Sequence, residues 1–189
     1  MRQDSMGVAP LTPTQALREI RMTAMVRRNA LRLLVSLVLT GAVTFILLGL
    51  VFGIAFVQGE SMRPAFRERD CMLYCRVGEP KRGDAVILRM DGPHGDKYVK
   101  RIVALPGDAV DIDEQGRVWI NGAALDEPYI YTKTQRKTGL DFPLALGESE
   151  YLVLGDDREH SCDSRDFGIV LRKQVNGKTL AVFRVGSGK

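Results

Sequence analysis

The sequence predicts a mainly β protein, an antiparallel β domain preceded by one N-terminal transmembrane helix. Two observations lead there. Residues 33–57 form a run of 25 residues without a single charge. Beyond residue 58 the apolar stretches become short and are separated by Gly, Pro and Asp, with no long helical period.

The apolar run comes first. At about 1.5 Å per residue, a helix of that length reaches roughly 37 Å, more than the ~30 Å of a hydrocarbon core. Ser36, Thr40 and Thr44 can hydrogen-bond back into such a helix. A cleaved signal peptide has an apolar core of only about 7–15 residues and a short basic region ahead of it. Gly53-Ile54-Ala55 resembles a small-x-small cleavage site, but the basic region here is far too long. The run is therefore read as an anchor.

Charge orients it. The chain carries a net charge of +4. Residues 1–32 hold six arginines against two acids, so the whole excess sits in the tail and the rest of the chain balances. A basic face for nucleic acid on the folded domain has no compositional support. Arginines ahead of a span are retained in the cytoplasm. The expected organisation is a cytoplasmic basic tail (1–32), a transmembrane anchor in the cell (inner) membrane (33–57) and an extracytoplasmic β domain (58–189). Within the tail, 1–11 reads as loose and 13–30 as a short helix, with Thr12 as cap and Pro13 at its first position.

In the exported part, strands are expected over 71–77, 85–90, 97–105, 109–112, 118–120, 151–154 and 179–185. Turns fall at Arg82-Gly83-Asp84, Pro106-Gly107-Asp108 and Gln115-Gly116. Three cysteines, Cys71, Cys75 and Cys162, make neither a disulfide scaffold nor a zinc site, which needs about four clustered ligands. On one extended strand Cys71 and Cys75 lie roughly 13 Å apart, too far to bridge. Pairing of one of them with Cys162 is open, but packed thiols are the simpler reading. Asp111-x-Asp113-x-Gln115-Gly116 begins like a calcium loop, yet its twelfth position is Gly122 where a Glu is needed. A hairpin turn explains it. The glycines near 83 and 107 do not form a phosphate-cradling loop before a helix.

Three places carry candidate chemistry. Gln58-Gly59-Glu60-Ser61-Met62-Arg63-Pro64 puts a serine within four residues of the predicted membrane exit. A nucleophile there reaches only substrates presented at the bilayer surface. A serine hydroxyl needs a base, and the two histidines, His94 and His160, both sit in apparent loops. Lys100 is the other candidate. Alternation along 98–105 sets Lys100 beside Tyr98, Ile102 and Ala104, and Arg101 beside Val99, Val103 and Leu105. Both faces are apolar, so one of the two cations sits in a partly dry place. Lysine loses its proton when desolvated and arginine does not. On pattern alone, a snorkelling lysine at a strand edge remains an equal reading. The third place is 155–168, where seven charges follow a strand, either as a solvated turn or as a buried network.

Taken together, Ser61-Met62-x-Pro64, Arg82-Gly83-Asp84, Tyr98-Val99-Lys100-Arg101-Ile102-Val103-x-Leu105-Pro106-Gly107-Asp108 and Gly155-Asp156-x-Arg158-x-x-Ser161-x-Asp163-Ser164-Arg165 resemble, in order and spacing, the motif boxes of type I signal peptidases. The resemblance spans residues 57–185 and implies a membrane-bound serine endopeptidase with the β fold of that family. It implies Ser61 as nucleophile, Lys100 as general base and Ser161 as a hydroxyl that bonds and orients the lysine. It further implies Asp163 and Arg165 as a bracing pair and the Ser61 backbone N–H as an oxyanion donor. The implied partners are exported preproteins with small residues at −1 and −3, together with the lipid bilayer, and no metal or organic cofactor. The sequence departs from the pattern at Gly59, where some members carry a serine that adds a second oxyanion donor. Asp157 stands for the usual Asn, Ala104 for a common Gly, and Ala65 where Thr is frequent. Three rivals are weighed. One is a specialised pilin- or conjugation-type maturation peptidase of the same family. Another is a self-cleaving Ser-Lys repressor, which the span and the absence of a helix-turn-helix oppose. The last is a catalytically silent membrane-anchored binding module, which would be expected to lose Ser61 or Lys100.

Overall fold

In the computed structural model, residues 13–90 and 97–184 are described, and the chain divides into two compact units, one up to Leu48 and one from Gly49 on. The first is helical. Helix α1 (Pro13–Val51) is continuous, so the short helix expected over 13–30 and the apolar run join into one element. Pro13 opens it, where its missing N–H has no intrahelical partner to lose; Thr12, the expected cap, lies outside the described residues. Met25–Val51 is long and apolar enough to cross a membrane, and its apolar window is not buried. Leu37 and Phe45 are 71% and 79% exposed. A helix of a soluble core would hide such residues.

The helix stops at Val51, before the apolar run does. Phe52–Phe56 instead forms strand β1, paired antiparallel with β2 (Cys71–Cys75), Phe52 opposite Cys75 and Phe56 opposite Cys71. Arg76 explains where the change falls. Its guanidinium donates to the carbonyls of Gly49 (2.6 Å), Leu50 (3.2 Å) and Phe52 (2.6 Å), and its N–H donates to Val51 (2.8 Å). Carbonyls that a helix end leaves without partners are thereby satisfied. At Gly53 a Cβ would enter the Tyr74 ring, so the close approach of β1 to β2 needs glycine there.

The second unit continues with β3 (Ala85–Arg89), β4 (Lys97–Ala104), β5 (Ala109–Ile112), β6 (Val118–Ile120), β7 (Ala123–Ala124), β8 (Leu144–Ala145) and β9 (Glu150–Leu154). After these come helix α2 (Ser164–Phe167), β10 (Val170–Leu171) and β11 (Val175–Phe183). Among the described residues they form two antiparallel sheets, ordered β1-β2-β11-β3-β4-β9-β10 and β7-β6-β5-β8. Every expected strand is present. The last begins at Val175, earlier than the pattern suggested, and residue 185, its expected end, lies outside the described residues. Gly177 hid that start: it breaks the apolar alternation, yet a Cβ there would come 2.5 Å from the Cys75 carbonyl. The two-residue strands and α2 are too short to leave a periodic signature.

The larger sheet is covered on both sides around β4. Val99 packs with Met62, Tyr74 and Ile87, while Tyr98 and Ile102 pack with Val86, Leu88 and Val153. A third cluster, including Val103, Val110, Ile112 and Leu152, joins the smaller sheet to the larger. Two apolar faces on β4 are what its sequence showed, and they place Lys100 and Arg101 in the interior.

Candidate active site

Ser61 follows β1 in a tight turn, with Arg63 N–H donating to Glu60 (2.9 Å) and Phe66 N–H to Met62 (2.9 Å). Met62 and Phe66 are buried on this turn and anchor it in the core beside Ile87. Ser61 itself is half-buried. Lys100 lies on β4 opposite Val86 of β3, and its side chain is driven inward so that the residue is only 2% exposed. The two meet: Lys100 Nζ stands 2.8 Å from Ser61 Oγ.

The neighbouring cation is treated differently. Arg101 places its guanidinium against both oxygens of Asp156 (2.8 and 2.5 Å), donates to Gly83 (2.7 Å) and lies over the Tyr129 ring at 4.2 Å. Arginine keeps its proton and receives a carboxylate. Lys100 forms no ion pair among the described residues and receives a hydroxyl. Burial is the main reason its pKa lies below the usual 10.5; Asp163 and Cys162 oppose the shift, while Arg165 and Lys137 add to it.

The loop after β9 closes the site. Asp157 N–H donates to the Ser61 carbonyl (3.1 Å). At Gly155 a Cβ would run into Ser161 Oγ and lie 2.5 Å from the Ser61 carbonyl, so the absence of a side chain lets three segments converge. Asp163 caps α2 and accepts from Arg165 Nε (2.8 Å) and an Arg165 terminal nitrogen (2.7 Å), and also from the Gly155 N–H (3.0 Å). Both side chains of this pair are fully buried. Burial pushes the Asp163 carboxyl up, but Arg165 and the Gly155 N–H outweigh it and leave its pKa below the usual range. Four of the seven charges in this segment, Asp156, Arg158, Asp163 and Arg165, form a buried network, while Glu159 and Asp166 stay at the surface.

One expectation differs. The Ser161 hydroxyl, expected to bond Lys100, is buried and makes no hydrogen bond to the lysine amine; it lies near the Asp163 carboxyl, whose pKa it helps to lower. The lysine amine reaches Ser61 instead, and Ser161 packs beside Gly155. His160 is not at the site: its exposed side chain sits against Asp157 at 3.1 Å. His94 lies outside the described residues. Cys71, Cys75 and Cys162 are all free; the first two are partly buried as packed thiols, whereas Cys162 is exposed. Asp113 accepts from Arg117 and from the Trp119 indole, so the calcium-like stretch is a braced hairpin. Among the described residues no group of His, Cys, Asp and Glu is placed to hold a metal ion.

The remaining motif boxes hold the frame together. Arg82 bonds Asp108 (2.7 Å), Asp108 caps its own turn through the Leu105 N–H (2.7 Å), and the Gly83 N–H donates to Ile102 (2.8 Å). Sequence reasoning missed the segment between β7 and β8. Arg158 donates to Glu127 (2.6 and 3.1 Å), Thr134 and the Gly155 carbonyl (3.0 Å), all in the interior. Lys137, from the same segment, donates to the Ser161 carbonyl (2.7 Å). This stretch has no period, and its only cue was charge in an otherwise loop-like region.

A cleft of about 730 Å³ opens beside Ser61, lined by residues 54–58 of and after β1, by Met62 and Ile87, and by residues 97–99 of β4. The cleft thus brings a serine hydroxyl that is in contact with a buried amine to its wall. The model of the family described as signal peptidase, peptidase S26, matches residues 30–184. The chain belongs to that family. Signal peptidase I S of Bacillus subtilis is 34% identical over 161 residues, covering 78% of this chain and 85% of that one. Signal peptidase IB of Staphylococcus aureus is 29% identical over 171 residues, covering 80% and 88%. A crystal structure of a signal peptidase I from Enterococcus faecalis is 30% identical, with a TM-score of 0.45, over 56% of this chain and 99% of that one. As a member of the signal peptidase family this protein is a peptidase, a serine hydrolase, and signal-peptide removal is the reaction its family supports.

Proposed function

We propose that the protein is a membrane-bound endopeptidase that removes signal peptides from exported preproteins through an acyl-enzyme, with Ser61 as nucleophile and Lys100 as general base. The 2.8 Å contact between Ser61 Oγ and the buried, unpaired amine of Lys100 carries this reading. In its neutral form the amine accepts the hydroxyl proton as Oγ attacks the scissile carbonyl. The ammonium so formed protonates the leaving amine. Water, deprotonated by the regenerated amine, then attacks the ester and restores Ser61. The Ser61 N–H serves the developing oxyanion. Gly59, with φ 81 and no hydroxyl, leaves any further donor to the backbone.

Asp163 and Arg165 brace the loop behind the lysine, and Ser161 packs beside Gly155 within that loop. The substrate lies extended along β1, an edge strand of the larger sheet, whose residues 54–56 line the cleft. Small residues at −1 and −3 suit a segment whose alternate side chains meet the floor built from Met62 and Ile87. The domains are a cytoplasmic tail over 1–32, an anchor expected over 33–57 whose helix ends at Val51 so that Phe52–Phe56 serves as β1 of the catalytic sheet, and the extracytoplasmic catalytic domain expected over 58–189, to which β1 is joined. The arginine-rich tail sets the orientation.

The test is cleavage of a preprotein bearing an Ala-x-Ala site by the detergent-solubilised protein, with the cut located by mass spectrometry. Ser61→Ala and Lys100→Ala are each expected to abolish the cut. Full rate in Lys100→Ala overturns the base assignment. No cut by the intact, folded protein, followed by cleavage of a pilin precursor, moves the reading to a narrow-client peptidase.

A further inference from the structure

Lys137 lies in the irregular segment between β7 and β8, outside every motif box. Its ammonium donates to the Ser161 carbonyl (2.7 Å) and to Asp166 Oδ2 (2.8 Å), and its side chain is about a quarter exposed, at 28%. Asp166 is itself committed to the loop, because the same oxygen accepts the Asp163 N–H (3.0 Å) as half of the α2 capping box. The backbone that carries Lys137 is pinned on both sides. Arg165 donates to the Gln135 carbonyl (3.2 Å), and the Gly139 N–H donates to the Arg165 carbonyl (2.8 Å). At Gly139 a Cβ would lie 2.5 Å from the Arg165 and Asp166 carbonyls, so the segment sits flat against the Ser161–Asp166 turn. The lysine is therefore held in place, not waving from a surface loop.

We propose that Lys137 is a positioning residue for the Lys100 base, locking the Ser161–Asp166 turn and adding its charge to that of Arg165 there. The inference rests on the Ser61/Lys100 reading. The charged and titratable groups around the Lys100 amine are Asp163 and Cys162 on the loop, Arg165 on α2 and Lys137 on this segment; β3 contributes the uncharged Val86 opposite it. Asp163 is taken up by Arg165, and Asp166 by Lys137. Without Lys137 one cation is lost, which favours the protonated, unreactive form of Lys100. The Ser161 carbonyl also loses its donor, which loosens the turn that packs against Gly155.

The experiment is the pH profile of preprotein cleavage by the full chain in detergent, for the natural protein, Lys137→Met, Lys137→Gln and Lys137→Arg. For Lys137→Met the acidic limb of kcat/KM moves up by about half a pH unit or more, so that the rate on that limb falls about threefold or more. KM is unchanged, because the residue touches no substrate. Lys137→Gln keeps one donor without the charge and shows the limb shift even if Lys137→Met does not fold; Lys137→Arg restores the natural limb. A uniform fall at every pH, with the limb unmoved and the melting temperature lowered, overturns the proposal in favour of a bracing role alone. Lys100→Ala, assayed beside them, separates the two readings. Activity retained in it defeats the dyad, whereas its inactivity together with an unmoved limb in Lys137→Gln defeats only the present inference.

Discussion

A buried lysine without a carboxylate partner destabilises the fold that holds it, and the cost has a pH signature. Lys100 is 2% exposed, has no carboxylate partner among the described residues, and titrates below 10.5 because burial disfavours its charge. Lys100→Met fills a similar volume without the amine. Because the folded pKa lies below the unfolded one, the unfolded chain binds more protons between the two values. The stability of the natural protein therefore rises with pH through that window, by about 1.4 kcal/mol per pH unit at full slope. Below the folded pKa both states hold the proton and the slope vanishes. Losing the contact to Ser61 costs Lys100→Met about 1 kcal/mol. One pH unit inside the window already outweighs that, so the substituted protein is the more stable at pH values well below 10.5, and its advantage shrinks as pH rises. Denaturant unfolding of both proteins in the same detergent, at half-unit steps from pH 7 to 10, measures the difference. The pH at which the line bends gives the folded pKa of the base. A difference that stays constant across the range means Lys100 holds its proton equally in both states, and the general-base argument fails with it.

Other outcomes follow from the same geometry. Arg165→Met leaves the Asp163 carboxylate buried and uncompensated, and is expected to lower stability by about 3–5 kcal/mol in thermal or denaturant unfolding. Glu60→Gln, which breaks the half-exposed pair with Arg63, changes it by less than about 1 kcal/mol. Equal effects from the two would show that the buried network does not bear on stability. The Asp163–Arg165 contribution is full above the unfolded pKa of Asp163 and is lost as pH falls through its lowered folded value. Gly155→Ala forces Ser161 and the Ser61 carbonyl apart, and a displacement of about 1 Å at the nucleophile is expected to reduce the cleavage rate about a hundredfold with little change in KM. A rate within twofold of the natural protein would mean that the loop accommodates the methyl group away from the dyad.

Much of this was legible along the chain, because it depends on local rules. An uncharged run of membrane length declares itself by composition, and arginines gathered ahead of it suggest its direction. The longer strands showed because side chains alternate with a period of two, and β4 showed as buried on both sides because both of its faces are apolar. The motif boxes, fixed in order and spacing, placed Ser61 and Lys100 on the list of reacting groups. Alternation also showed that Lys100 and Arg101 look opposite ways. It did not show which of them stays uncompensated, since that turns on Asp156 reaching Arg101 from 55 residues away while Lys100 meets Ser61 from 39.

Tertiary structure decided the rest wherever the deciding partner is distant. The helix end at Val51 was invisible in a uniformly apolar run, because what meets its last carbonyls is Arg76, two strands further along the chain. The charged segment after β9 carried the same residues whether solvated or buried. Only the closure of Arg158 on Glu127 and Thr134, and of Arg165 on Asp163, builds the interior network within it. The segment around Lys137 has no period and belongs to no motif box; its part in the site comes entirely from where the β7–β8 connection lies against α2. Periodicity and composition record what a residue needs from water and from its own strand. Which charge it meets across the fold is set by packing, and in this protein packing gives Arg101 a carboxylate and leaves Lys100 against the Ser61 hydroxyl.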